Sequence, residues 1–164
     1  MALFAGLLFG GLFAGFLLAV LILEASLRRS PVSVYTQVRQ VELAHLDDLA
    51  TVLLPAALLA TATLVVVTIR RPGRTRWLAL TALVLLLTTF IISALLSVPI
   101  NTDQQRWSVH APPSDWARVR DRWQIAHLVR TTTTVCAFIT LVAAAITQAP
   151  QEGPGAQALR WRGT

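Results

Sequence analysis

The chain has 164 residues, of which 55% are hydrophobic and 13% charged. None of its 14 basic and 8 acidic side chains falls in residues 1–23, 49–69, 77–102 or 131–151, and these four gaps together hold 91 residues. A hydrocarbon core about 30 Å thick needs roughly 20 mostly apolar residues per helix, whereas a soluble helix must show water a polar face every turn, so a soluble globular class is excluded.

The expected fold is an all-α membrane protein, a four-transmembrane-helix antiparallel bundle with two longer connections on one face. Residues 1–150 form one domain, with spans at about 3–23, 49–69, 77–98 and 125–149, and residues 151–164 form a short flexible tail. Span 1 has no basic n-region, and its apolar stretch is too long for a signal peptide, so it reads as a retained helix. It holds two GxxxG pairs, Gly6 with Gly10 and Gly11 with Gly15, a spacing that lets another helix approach closely. Pro31 is expected to end the first helix, and the charged segment after it to turn helical from Val38 into span 2. Pro55 removes a backbone donor inside span 2 and predicts a kink near residues 51–55.

Arg70, Arg71, Arg74 and Arg76 crowd around Pro72 and Gly73, which predicts a tight hairpin between spans 2 and 3. Trp77 stands where an interfacial anchor belongs, and Pro99 is expected to stop span 3. Residues 101–127 form the second long connection, helical from a Ser114 N-cap onward. All 14 basic residues are arginine and flank spans, where they orient the chain and meet lipid headgroups, so nucleic acid is not an expected partner. The arginine-dense short loop points both termini to the cytoplasmic side, and the expected membrane is the plasma membrane. A homo-oligomer is compatible with the sequence. The lone cysteine, Cys136, lies within the fourth apolar run, which excludes a disulfide framework and a Cys-based zinc site.

The acids and histidines concentrate on the face of the long connections, which makes that face the candidate site. Glu24 lies 18 and 14 residues after Gly6 and Gly10, close to whole numbers of turns, so it shares their stripe; it reads equally as an inward acid or as a snorkelling interfacial one. His45 has Glu42 three residues before it and Asp48 three after, the arrangement of a general base and also of an ordinary interfacial histidine. Trp116, Arg120, Trp123, His127 and Arg130 follow one another at four, three, four and three residues, a helical face too polar for lipid. That face lines a cavity or forms an interfacial aromatic and arginine belt. Ser93, Ser97 and Asn101 recur every fourth residue and either bind a ligand or join helices. A two-His, one-carboxylate iron site from His45, His127 and Glu24 or Asp48 is the metal alternative, although no local ligand motif supports it. Walker, Rossmann, nucleophile-elbow and haem-attachment motifs are absent.

The stretch Val98 to Asn101, Trp107, Asp115 with Trp116, Arg120 to Trp123, His127 and Arg130, together with His45, resembles the anthrone oxygenase-like family of small four-helix membrane proteins. The resemblance covers nearly the whole chain and is strongest between residues 98 and 131. It implies a dioxygen-dependent oxidation of a hydrophobic anthrone-like polycycle without an organic cofactor; a non-haem metal ion is the alternative. His45 or His127 would then be the catalytic base, with Glu24, Asn101, Trp107, Trp116, Trp123 and Arg130 binding substrate. Two other classes compete: a non-catalytic module that packs with a partner or lipid in the bilayer, and a small proton-coupled transporter. Against the transporter, Glu24 lies at a span end rather than mid-membrane.

Overall fold

The computed structural model describes residues 1–70 and 73–148; the expected tail and the middle of the arginine-rich loop lie outside the described residues. In chain order the helices are α1 (Ala2–Leu27), α2 (Val32–His45), α3 (Asp47–Thr68), α4 (Arg74–Ile92), a π-helical turn at Ser93–Ser97, α5 (Val98–Gln104) and α6 (Trp116–Gln148). Among the described residues, four rods are long and apolar enough to cross a membrane: α1, α3, the continuous α4–π–α5 rod, and α6. Each packs against two neighbours in the ring α1, α3, α4, α6, so every neighbouring pair runs antiparallel, and the α3–α4 seam is the loosest of the four. At most 33% of the most apolar window of any rod is buried. The outward residues include Leu8, Leu12 and Ile22 on α1, Leu59 and Val66 on α3, Val84 and Ile91 on α4 and Ile139 and Ile146 on α6. That surface suits hydrocarbon and would be insoluble in water.

The interior changes character along the bundle. Toward the termini, Ala57, Leu64, Leu86, Ala137 and Leu141 form an apolar layer interrupted by the buried hydroxyl of Thr61, followed by Phe13, Leu17, Leu53 and Leu54. Toward the other end come Val20, Ile100 and Trp123, and last Leu27, Tyr35 and Trp107. Helices α1 and α6 approach closely along the glycines: a Cβ on Gly6 or Gly10 would make ordinary contact with Leu141 at 3.7 and 3.5 Å, leaving no room for a larger side chain, and one on Gly11 would crowd Phe138 at 3.0 Å. Gly15 faces open space, so the second GxxxG pair contributes through Gly11 alone.

Three boundaries differ from the sequence expectation. Helix α2 begins at Val32, directly after Pro31, rather than at Val38. Pro31 fits there because the start of a helix has no use for the missing donor. Pro99 does not stop the third rod. Val98 N–H reaches back five residues to the Ser93 carbonyl, and this wider turn places Pro99 in the first turn of α5, where its lack of an N–H costs nothing. Asp115 rather than Ser114 holds the start of α6, since its carbonyl accepts the first helical bond, from Val119 N–H at 3.2 Å. Helix α3 runs through Pro55 without a break.

Candidate functional site

Helix α2 supplies what the long first connection conceals. Tyr35, Thr36, Arg39, Glu42 and Leu43 are its buried residues, a stripe at helical spacing turned to the end of the bundle. Arg39 lies at the centre of a polar layer with all three guanidinium nitrogens engaged. Its Nε donates to Gln104 Oε1 at 3.1 Å, Nη1 to Glu42 Oε2 at 2.6 Å and Nη2 to Asn101 Oδ1 at 3.0 Å. Nη1 also lies 3.3 Å from Glu24 Oε1, an ion pair without hydrogen-bond alignment. Glu24 therefore faces inward, where its other oxygen accepts from Gln124 Nε2 at 3.1 Å. Gln104 passes its amide N–H to the Tyr35 hydroxyl. Burial, reinforced by the negative charge of Glu24, pushes the Tyr35 phenol above its usual pKa and keeps it neutral.

Asn101 links this layer to α6. Its Oδ1 accepts from Trp123 Nε1 at 2.7 Å as well as from Arg39, and its Nδ2 donates to Asp47 Oδ1 at 3.1 Å, which fixes the amide orientation. Trp123 carries the Arg39 guanidinium 4.0 Å from its ring centre and stacks on His127 at 4.8 Å with 6° between planes. His127 Nε2 lies 3.1 Å from the Leu17 carbonyl. A carbonyl only accepts, so Nε2 carries the proton and, in the neutral ring, the lone pair sits on Nδ1. That Nδ1 is buried and has no partner. One helical turn on, Arg130 is 7% exposed; Nη1 donates to Ser97 Oγ at 3.0 Å, while Nε has no partner. Among the described residues no carboxylate pairs with Arg130 within 4 Å.

These groups border a cavity of about 40 Å³ lined by Phe16, Leu17, Leu43, Trp123, His127 and Arg130 among others. Water needs only about 10–15 Å³ of such space, so the cavity admits a diatomic molecule or a few waters but no polycycle. It shares Asp47, Ala50, Asn101 and Arg130 with a crevice of about 200 Å³ in the α3–α4 seam.

Of the site residues expected from sequence, the structure brings together Glu24, Asn101, Trp123, His127 and Arg130. His45 is exposed at the end of α2 and lines none of the described pockets, and its expected partner Glu42 is taken by Arg39. Trp107 packs with Leu27 and Tyr35, and Trp116 lies against the same group, so neither walls the cavity. Among the described residues no group of three His, Cys, Asp or Glu is placed to hold a metal ion. Arg39, Tyr35, Gln104 and Asp47 were missed. For Arg39 and Tyr35 the signal existed, because they share the α2 stripe, but a helix started at Val38 leaves Tyr35 outside it.

Residues 45–140, more than half of the chain, match the family model described as anthrone oxygenase. The chain belongs to the anthrone oxygenase family. No curated protein and no solved structure matches it significantly. Within this anthrone oxygenase-family chain, the matched stretch carries Asp47, Asn101, Trp123, His127, Arg130 and both walls of the crevice. The helices α1 and α2, which bring Glu24, Tyr35 and Arg39 onto that layer, lie before it.

Proposed function

We propose that the protein is a membrane-embedded oxygenase that converts an anthrone-like polycycle to the corresponding quinone with dioxygen, His127 acting as the base. The observation that carries this reading is the unpartnered, buried Nδ1 of His127 one helical turn from the unpartnered Nε of Arg130, two residues that line a cavity sharing Asp47, Ala50, Asn101 and Arg130 with the crevice. His127 Nδ1 takes a proton from the methylene between the aromatic rings, and Arg130 donates to the oxygen on which the negative charge develops. Donors aimed at developing charge in a dry site are a large catalytic term. The carbanion passes an electron to dioxygen, the radical pair joins in a C–O bond, and the peroxide takes the proton back from His127. Loss of water from the hydroperoxide then leaves the second carbonyl, so one anthrone and one dioxygen give one quinone and one water. Asn101 has one N–H committed to Asp47 and serves mainly to hold Trp123 and Arg39. His45 has no part in this scheme. Both termini and the arginine-dense loop face the cytoplasm in this reading, with the site toward the opposite side of the membrane.

The test is oxygen uptake by the purified protein in detergent with a panel of anthrones. Replacing His127 with Ala should lower the enzymatic rate about 10²–10⁴-fold, the usual range for a lost general base, while His45→Ala stays at the wild-type rate. Equal rates for wild type and His127→Ala would sink the proposal, and so would stoichiometric iron or copper in the active protein.

A further inference from the structure

The crevice in the α3–α4 seam combines irregular helix, small side chains and an unspent cation. Pro55 in α3 leaves the Thr51 carbonyl without its helical donor, and across the seam the π-helical turn Ser93–Ser97 widens the third rod. Both lie in the lining, with Ala50, Leu54, Phe90 and Ala94 supplying apolar surface. From Asp47 to Pro55 the lining descends eight residues of α3, about 12 Å at 1.5 Å per residue, which is most of one leaflet of a core about 30 Å thick. Thr51, Pro55, Phe90, Ala94 and Val98 are exposed on helices that otherwise show lipid-facing side chains, so the mouth opens sideways into the bilayer. At the inner end stand Asn101 and Arg130, the latter 7% exposed with its Nε unpartnered.

We infer that this crevice is a lateral portal and binding slot for a flat, lipid-soluble molecule bearing an acidic or carbonyl oxygen, drawn from the membrane with that oxygen leading toward Arg130. The apolar walls take the ring system. Arg130 supplies a donor that Ser97 alone does not exhaust, and the leading edge of the ligand reaches past it toward the inner cavity that His127 lines, with the ring system left in the slot. The slot of about 200 Å³ is below the roughly 300–1,000 Å³ of closed drug-sized pockets, so part of the ligand remains in contact with lipid. Ala50 and Ala94 set the width. The identity of the ligand as an anthrone rests on the oxygenase reading, whereas the portal does not.

The experiment places a cysteine at Ala94 in a Cys136→Ser background and reconstitutes the full chain in phospholipid vesicles. Leu59→Cys, on α3 at a position 70% exposed and outside the crevice, is the control. A lipid-soluble pyrene maleimide should label both, and a charged, membrane-impermeant maleimide neither. A dihydroxyanthraquinone, which resembles a product and undergoes no turnover, should slow labelling at Ala94→Cys about tenfold when present at roughly ten times its Kd, and leave Leu59→Cys unchanged. Ready labelling of Ala94→Cys by the charged reagent, absence of protection, or equal protection at Leu59→Cys would each overturn the portal. Protection in a protein that oxidises no anthrone would keep the portal and remove the oxygenase reading. Turnover without protection would do the reverse.

Discussion

His127 lies flat on Trp123, with ring centroids 4.8 Å apart and 6° between the planes, and Trp123 is itself held by the hydrogen bond from its Nε1 to Asn101 Oδ1 at 2.7 Å. The imidazole is thus positioned by stacking on one side and by the Leu17 carbonyl through Nε2. Replacing Trp123 with Phe keeps a flat ring but removes the donor, so the ring and the imidazole on it gain freedom. A misplacement of about 1 Å costs on the order of 10²-fold in rate. Trp123→Phe should therefore lower kcat by about tenfold to a hundredfold with little change in KM, measured by oxygen uptake on an anthrone. An unchanged kcat would mean that the stack does not position His127.

Arg39 should matter for stability more than any other α2 residue. Two buried carboxylates face it at 2.6 and 3.3 Å, and removing one partner of a buried ion cluster typically costs about 3–5 kcal/mol because the remaining charges are uncompensated. Arg39→Met should lower the thermal unfolding midpoint in detergent sharply. The triple variant Glu24→Gln, Arg39→Met, Glu42→Gln should recover most of that loss, since no charge is left stranded. If the triple variant is as unstable as Arg39→Met, the layer works through shape rather than charge.

The positions where sequence reading succeeded and failed have different physics. The spans were legible because lipid excludes charge over about 20 residues at a time. The α6 face of Trp123, His127 and Arg130 was legible because helical spacing is local. Glu24 fell on the interior stripe, but its partner did not show, because Arg39 meets Glu24 only once α2 folds back onto the bundle. His45 looked as good as His127 by local chemistry. Its place at the end of α2, off the buried stripe, is what leaves it exposed, and the late start assigned to that helix hid the stripe. Pro99 misled because a π turn, which no short pattern announces, absorbed it.

The α1–α6 contact gives a paired prediction at residues five apart. Gly10 is buried against Leu141, while Gly15 is exposed with nothing near its absent Cβ. Gly10→Leu should force α6 outward and destabilise by about 1–3 kcal/mol, as overpacking does. Gly15→Leu should stay within about 0.5 kcal/mol of wild type. Thermal unfolding followed by helical circular dichroism separates them, and equal effects would mean that α6 does not rest on the glycine face.

Closing the crevice should discriminate ligand binding from chemistry. Ala94 is exposed and lines the slot beside Phe90, whereas Leu95, the next residue, is 70% exposed and lies outside it. An indole at either position is compatible with a lipid-facing surface, so neither variant threatens the fold. Ala94→Trp occupies the space that the ring system needs without touching His127 or Arg130. An interaction lost equally from ground and transition states raises KM and leaves kcat alone. Ala94→Trp should therefore raise KM for a tricyclic anthrone about tenfold, equivalent to about 1.4 kcal/mol, at nearly constant kcat, and Leu95→Trp should leave both constants unchanged. A kcat loss at unchanged KM would show that the substituent disturbs the catalytic end. No effect from Ala94→Trp would place the ligand elsewhere in the bundle.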